Sequence, residues 1–323
     1  DSDERYYAKL AADDFGAELI EVNETPDNIT INDLEEFRFS AEPVMILDAL
    51  MRSRVRSEIS AQHNVNAIFI GRNGDGIFGK DLERSVTDYL FMNRPNIAFL
   101  KYAYNSARIA HENIWKIIYN SILDRLFKRQ IFIHNALSEK ELIHRKNIFP
   151  HYTGTFGDQF IPSSTLFPPQ KRFHIENTLV TNSCYYPDRP QYQLEWVSPL
   201  ISQPVLEAVY RIPTYLMTYA GRSRGLARLA FSNIVPTKII YRETKAAIQD
   251  LTDRIFIKNM SFLKDYYMDG VLVQHGLLNK KAVEQAFLSG YGEGGMMRTT
   301  LLASLGAEAW SRQWQSLTTT KNI

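Results

Sequence analysis

Apolar positions recur at helical spacing through most of the chain. Val44, Leu47, Met51 and Val55 mark a helix within 43–62, and a stripe of Ile109, Ile114, Ile117, Ile118, Ile122 and Leu126 ends a run of two or three helices over 81–127. That stripe is expected to be core. Residues 1–15 read as a helix with an acidic start, stopped by Gly16, and 31–39 as a shorter one. Two short apolar runs break the pattern, 17–22 and 67–70, and both read as strands. Helices alternating with strands predict an α/β fold in which these two runs lie parallel in one sheet.

Prolines at 150, 162, 168, 169, 187 and 190 disrupt the periodicity, so 128–190 is expected to be irregular, an insertion or lid. Helical spacing then returns. Ser202 stands where a cap is needed, Pro204 falls in the first turn, and Leu206, Val209 and Tyr210 share a face. A second helix is expected over 222–231, with Leu226, Leu229 and Ala230 inward and its arginines outward, followed by a turn from Pro236. Helices over 251–267, 280–288 and 296–317 complete the chain, the last carrying Trp310 and Trp314 one turn apart; glycine-rich 289–295 reads as a connector.

Composition narrows the chemistry by exclusion. Lys and Arg total 37 against 36 Asp and Glu, a balance that gives no reason to expect nucleic acid as a partner. Cys184 is the only cysteine, which rules out an internal disulfide and a cysteine zinc site, and the seven histidines lack metal-ligand spacing. No run is apolar and long enough for a membrane span and no signal peptide is evident, so a cytoplasmic setting is expected.

Two stretches carry candidate chemistry. Gly71-Arg-Asn-Gly74-Asp75-Gly76-Ile-Phe-Gly79 directly follows the second expected strand. Glycine turns at strand carboxyl ends admit phosphates, and Asp75 could hold Mg²⁺; a plain strand-to-helix turn fits the pattern equally well. The second stretch runs from Glu195 through Gly221-Arg222-Ser-Arg224-Gly-Leu-Ala-Arg228 to Arg242-Glu-Thr-Lys245. Helices that bring cations toward one loop suit a polyphosphate, although solvated surface arginines read the same way.

The second stretch resembles the C-terminal part of the asparagine-synthetase family. Its Glu, its Pro-Phe-Leu-Asp-like segment, its Gly-Arg-x-Lys/Arg helix and its Arg-x-Lys segment have counterparts in Glu195, residues 198–202, Gly221 to Arg224, and Arg242 to Lys245. The forms here are most similar to the lasso-peptide cyclase branch, which closes a macrolactam ring. The Gly71 stretch is similar to the family's Gly-Glu-Gly-x-Asp-Glu-Leu-Phe-Gly, keeping Asp75, Phe78 and Gly79 but with Arg72 and Gly76 in place of its two glutamates. The Arg72 departure argues against simple asparagine synthesis.

The resemblance implies a pyrophosphatase-type, Rossmann-like parallel sheet in an α/β fold, with a large helical C-terminal part. On that basis 1–127 is the nucleotide-binding part, 128–190 the insertion, and 191–323 the helical part. The family's Ser-Gly-Gly-x-Asp-Ser phosphate loop does not occur in the sequence. The first strands of the sheet are therefore expected upstream, with the chain a fragment, a cleaved product or one of two chains. The implied activity is ATP-dependent amide formation with Mg²⁺: a side-chain carboxylate is adenylated and an amine displaces AMP. Lys245 is then expected to steady the oxyanion and Glu195 to act as base or to orient it. Asp75 would take the metal, and Gly71, Gly74, Arg222, Arg224 and Arg242 the nucleotide. The implied partners are a precursor peptide, a leader-binding protein, a leader peptidase and the missing N-terminal segment or chain. Asparagine synthesis from glutamine, β-lactam synthesis and a non-catalytic scaffold are the alternative readings.

Overall fold

Two short parallel strands, β1 (Ala67–Phe69) and β2 (Glu195–Val197), form the sheet among the described residues, with Ala67 opposite Glu195 and Phe69 opposite Val197. The pairing extends to Ile70, whose N–H donates to Val197 O at 2.9 Å, and to Glu195, whose N–H donates to Asn66 O at 2.9 Å. This computed structural model describes residues 4–22, 29–35, 43, 58–71, 73–127, 167–182, 195–242, 249–288 and 295–320. Lys245, Arg72, the glycine-rich connector and most of 128–190 lie outside them.

Residues 17–22 are not a strand. They carry no regular structure, Leu19, Ile20 and Val22 stand exposed, and β1 pairs with β2 instead. Apolar residues favour an extended chain, but a strand persists only where a neighbouring edge takes its N–H and C=O groups. Among the described residues no such edge reaches 17–22.

Most of the described fold is helical and packs around three cores. Ser85–Met92, Ile97–Ala110 and Ile114–Phe127 bury Val86, Tyr89, Leu90, Phe99, Ala103 and Ile117 together. The expected isoleucine stripe is only partly inside: Ile117 is buried, whereas Ile122 and Leu126 face solvent. A small second core of Ile77, Leu82, Val209 and Met217 lies beneath the turn that follows β1. The third gathers the C-terminal helices around Phe256, Leu263, Tyr267, Val283, Leu301 and Leu305. There the helix expected over 251–267 divides at Asn259 into Gln249–Lys258 and Met260–Met268. The Asn259 side chain accepts from Ile29 N–H at 2.7 Å, tying this core to the N-terminal segment. Gly295–Thr320 is the closing helix, with Trp310 and Trp314 in contact as expected from their spacing. Among the described residues no helix is long and apolar enough to cross a membrane.

Within 128–190, Pro169–Asn182 is a 14-residue helix rather than irregular chain. Pro169 opens it. A proline in the first turn gives up an N–H that has no intrahelical partner, so it starts a helix where elsewhere it would break one. The helix is buried although its first half is polar: Gln170, Lys171, Arg172, His174 and Glu176 are all inside. That polarity hid it from an apolar-periodicity reading.

A cationic cleft beside Asp75

The turn after β1 is built by close packing. Gly74–Ile77 forms a single helical turn carrying Asp75, and Lys80 N–H donates to Asp75 O at 2.8 Å to close it. Gly79 takes φ +77°, and a Cβ there would lie 2.3 Å from Leu82 Cδ1, so this position requires glycine. The Asp75 side chain therefore projects just beyond the carboxyl end of β1, where open α/β sheets hold ligands.

Opposite it, the arginine segment folds differently from the expected 222–231 helix. Arg224 adopts the left-handed region at φ 58°, and the helix begins only at Gly225, spanning Gly225–Ala230. A Cβ on Gly225 would sit 2.1 Å from Tyr219 O, so the chain can double back on itself only with glycine here. This kink overturns part of the expected orientation, although Leu226 stays half-buried. Leu229 and Ala230 face solvent, while Arg222, Arg224 and Arg228 are half-buried and turned inward. Arg224 Nη1 pairs with Asp75 Oδ1 at 2.7 Å, and Lys80 Nζ stands 4.0 Å from Asp75 Oδ2. Ser223 Oγ donates to Lys80 O at 3.2 Å, fixing the two turns against each other.

The other arginines have distinct partners. Arg228 donates from Nε to Ser223 O at 3.1 Å and from Nη2 to Arg242 O at 3.0 Å, and also reaches Ile240 O. Arg242 pairs with Glu4 at 2.7 Å and stacks on Tyr7. Arg222 lies over the Tyr241 ring, 4.5 Å from its centroid. Arg222, Arg224, Arg228, Tyr241 and Arg242 line a cleft of about 800 Å³, the size of a cofactor site. Lys80, Arg108 and His111 line it too. None of these three was singled out from the sequence. Lys80 directly follows the Gly71–Gly79 motif and could have been; Arg108 occupies an exposed helix position and carries no local signal.

The remaining expected site residues are placed less closely together. Gly71 follows β1 with open space around it, and Gly74 packs under Leu200. Glu195 is exposed at the amino end of β2, two residues before the level at which the chain of β1 turns toward Asp75. Arg242, the last described residue before Lys245, lines the cleft.

The asparagine synthase family model matches residues 177–312. The match takes in β2, the kinked arginine turn, the Arg242 segment and most of the C-terminal helices. Asp75 lies outside it but meets it through the ion pair with Arg224. The matched residues form one wall of the cleft. No curated protein and no solved structure matches the chain.

ATP and Mg²⁺ fit the residues present. Mg²⁺ is commonly held by one or two carboxylates, with phosphate oxygens and water completing its shell. Asp75 offers one carboxylate, and the cations around it suit the phosphates that would accompany the metal. Among the described residues no cluster of three metal-ligating side chains occurs.

Behind the Asp75 turn, the polar helix Pro169–Asn182 acts as its support. His174 Nε2 bonds Ile77 O at 2.9 Å, and Thr178 packs against Gly76. Nearby, Asp88 accepts from Gln170 N–H at 2.8 Å and from Thr214 Oγ1 at 2.5 Å. Lys171 Nζ donates to Ile212 O at 2.9 Å. Burial pushes the Asp88 carboxyl up to about 7 and the Lys171 ammonium down to about 8. Burial, reinforced by the Lys171 charge, lowers His174 to about 4.

Asp88 and His174 make opposite contributions to stability in acid. From about pH 4 to 7 folded Asp88 keeps a proton that the unfolded chain releases, so its contribution falls as pH rises. From about pH 4 to 6.5 folded His174 refuses a proton that the unfolded chain takes, so its contribution rises. Each is worth on the order of 3–4 kcal/mol across its window, and in the native protein they largely cancel. Asp88→Asn should therefore give a melting temperature that climbs from pH 4 to 6.5, and His174→Gln one that falls over the same range. Thermal melts at half-unit pH steps test this; parallel profiles for the two variants would refute it.

Proposed function

We propose that this chain forms amide bonds in an ATP-dependent ligase: a substrate side-chain carboxylate is adenylated and then joined to an amine, with macrolactam closure in a peptide as the specific reaction. The observation that carries the reading is the Asp75 carboxylate, which follows the strand end and pairs with Arg224, a residue that lines the cleft together with Lys80 and Arg222. The chain as a whole bears a net charge of only +1, so this local excess of cations is a property of the cleft.

In this reading the cleft binds the polyphosphate. Asp75 holds Mg²⁺, which neutralises phosphate charge when bound. Arg222, Arg224 and Arg242 orient the phosphates, and charge-assisted hydrogen bonds from guanidinium suit that geometry. The substrate carboxylate oxygen attacks the α-phosphorus, pyrophosphate leaves, and a mixed anhydride with AMP forms. An amine nitrogen then attacks the acyl carbon. Glu195 takes or orients the proton lost from nitrogen, Lys245 stabilises the oxyanion, and AMP departs. Arg72 in place of an acidic residue supports a peptide amine over ammonia from glutamine. The precursor peptide, a leader-binding protein and a leader peptidase are the partners that fit this reaction.

Asp75→Asn in the intact protein tests the reading. ATP–pyrophosphate exchange should fall at least tenfold, because the substitution removes the ligand charge while keeping the shape. A folded Asp75→Asn protein with unchanged exchange would remove Asp75, and with it the cleft, from the chemistry.

A further inference from the structure

The two helices beside the cleft each carry an exposed apolar row. Ile97–Ala110 and Ile114–Phe127 are joined by a short turn and bury their inner faces against Ser85–Met92. On the outside of the first helix stand Ile97 (83 % exposed), Leu100 (46 %) and Tyr104 (56 %). On the outside of the second stand Trp115 (71 %), Tyr119 (63 %), Ile122 (44 %) and Leu126 (69 %). Spacings of three and four put each set in one row along its helix. Single exposed apolar residues are ordinary, but aligned rows of this kind mark interaction sites.

Two features indicate what covers these rows. The first is continuity: Tyr104 belongs both to the row and to the wall of the cationic cleft, and Arg108, one turn further along, also lines that cleft. The second is charge. Between Ile97 and Phe127 the cations are Lys101, Arg108, Lys116 and Arg125. Of the two acids there, Asp124 is buried against Arg84, and Glu112 and Lys116 neutralise each other at 2.6 Å, which leaves Lys101, Arg108 and Arg125 as the net charge. The face is therefore apolar and basic, and it complements an apolar, acidic partner. From Trp115 to Leu126 it is about 16 Å long at 1.5 Å per residue, the span of about five residues of extended peptide.

We propose that this face docks the peptide whose carboxylate reacts: an extended segment rich in apolar and acidic residues lies along these rows and enters the cleft past Tyr104 and Arg108. The proposal rests on the ligase reading and names where its acid substrate is held. A flat basic and apolar face would suit an anionic membrane as well, but this face leads into a recess walled by Arg222 and Lys80, which favours a chain that can thread into it.

The test uses the 323-residue chain and a fluorescein-labelled twelve-residue peptide of three Gly-Leu-Phe-Glu repeats, with a matched peptide carrying Lys for Glu. By anisotropy the acidic peptide should bind and the lysine peptide should not. The double substitution Trp115→Ser with Ile122→Ser should weaken the acidic peptide at least tenfold, as should the independent pair Ile97→Ser with Leu100→Ser, and Arg108→Gln should weaken it severalfold. Equal affinity in wild type and both double variants overturns the proposal, as does no binding of the acidic peptide. So does Trp115-dependent sedimentation with phosphatidylserine vesicles in the absence of peptide binding, which would assign the face to a membrane. Calorimetry with magnesium tripolyphosphate on the wild-type chain reports on the cleft separately. Polyphosphate binding without peptide binding defeats the docking site alone, and peptide binding alongside unchanged ATP–pyrophosphate exchange in the intact Asp75→Asn protein defeats the ligase reading alone.

Discussion

Lys245→Ala should suppress amide formation by roughly 10²–10³, the loss of about 3–4 kcal/mol that follows removal of one donor from a developing oxyanion. The expectation rests on the proposed ligase chemistry and on the position of Lys245 three residues beyond Arg242, which lines the cleft. The charge it would stabilise develops on the carbonyl oxygen when the amine attacks. Adenylation places its new charge on phosphates, which the cleft arginines are proposed to orient. The two steps should therefore separate: ATP–pyrophosphate exchange survives better than loss of water from the peptide substrate. A folded Lys245→Ala protein that forms the amide at the normal rate would end the catalytic assignment of Lys245.

Glu308→Ala should cost about 2–4 kcal/mol of stability, because it leaves two backbone N–H groups of the core without an acceptor. Glu308 is fully buried and makes three bonds at once. Its carboxylate accepts from Val271 N–H at 2.7 Å and Leu272 N–H at 2.9 Å, donors at the start of the short helix Val271–Gln274 that have no partner within that helix. It also accepts from Arg312 Nε at 2.7 Å. A cap supplied by a distant helix thus joins Gly295–Thr320 to the rest of the C-terminal core. Truncation leaves two N–H groups and part of a guanidinium unsatisfied in a site that closes over them. Urea unfolding measures this directly, and Glu308→Gln, which keeps an acceptor, should lose less. A loss under about 1 kcal/mol for the alanine variant would mean that the remaining Arg312 bond to Tyr266 O holds the core unaided.

What the sequence revealed, and what it hid, follows from the range of the interactions involved. Gly16 as a helix stop and 280–288 as a helix were legible because capping and periodicity are local. Asp75 after a strand was legible because a strand followed by glycines is a local pattern as well. The direction of Arg222, Arg224 and Arg228 was not, because it depends on a left-handed residue at 224 and on the approach of Gly225 to Tyr219. The helix Pro169–Asn182 was missed because its buried face is polar and is satisfied by residues from elsewhere in the chain, such as Asp88 and Ile77. Residues 17–22 were misread for a related reason: local apolarity favours a strand, but pairing decides it.

Arg228 divides the positive charge of the cleft into two kinds. Its fork is committed to the carbonyls of Ser223, Ile240 and Arg242, and so fixes the shape of the wall. Lys80, Arg108 and Arg222 line the same space and bond no more than one backbone oxygen or a distant carboxylate, or rest against a ring. Evolution can therefore alter ligand preference at 80, 108 and 222 while the scaffold persists, whereas a change at 228 alters the frame on which any preference is displayed. Paralogues with the same frame and different substrates are expected to diverge at those three positions.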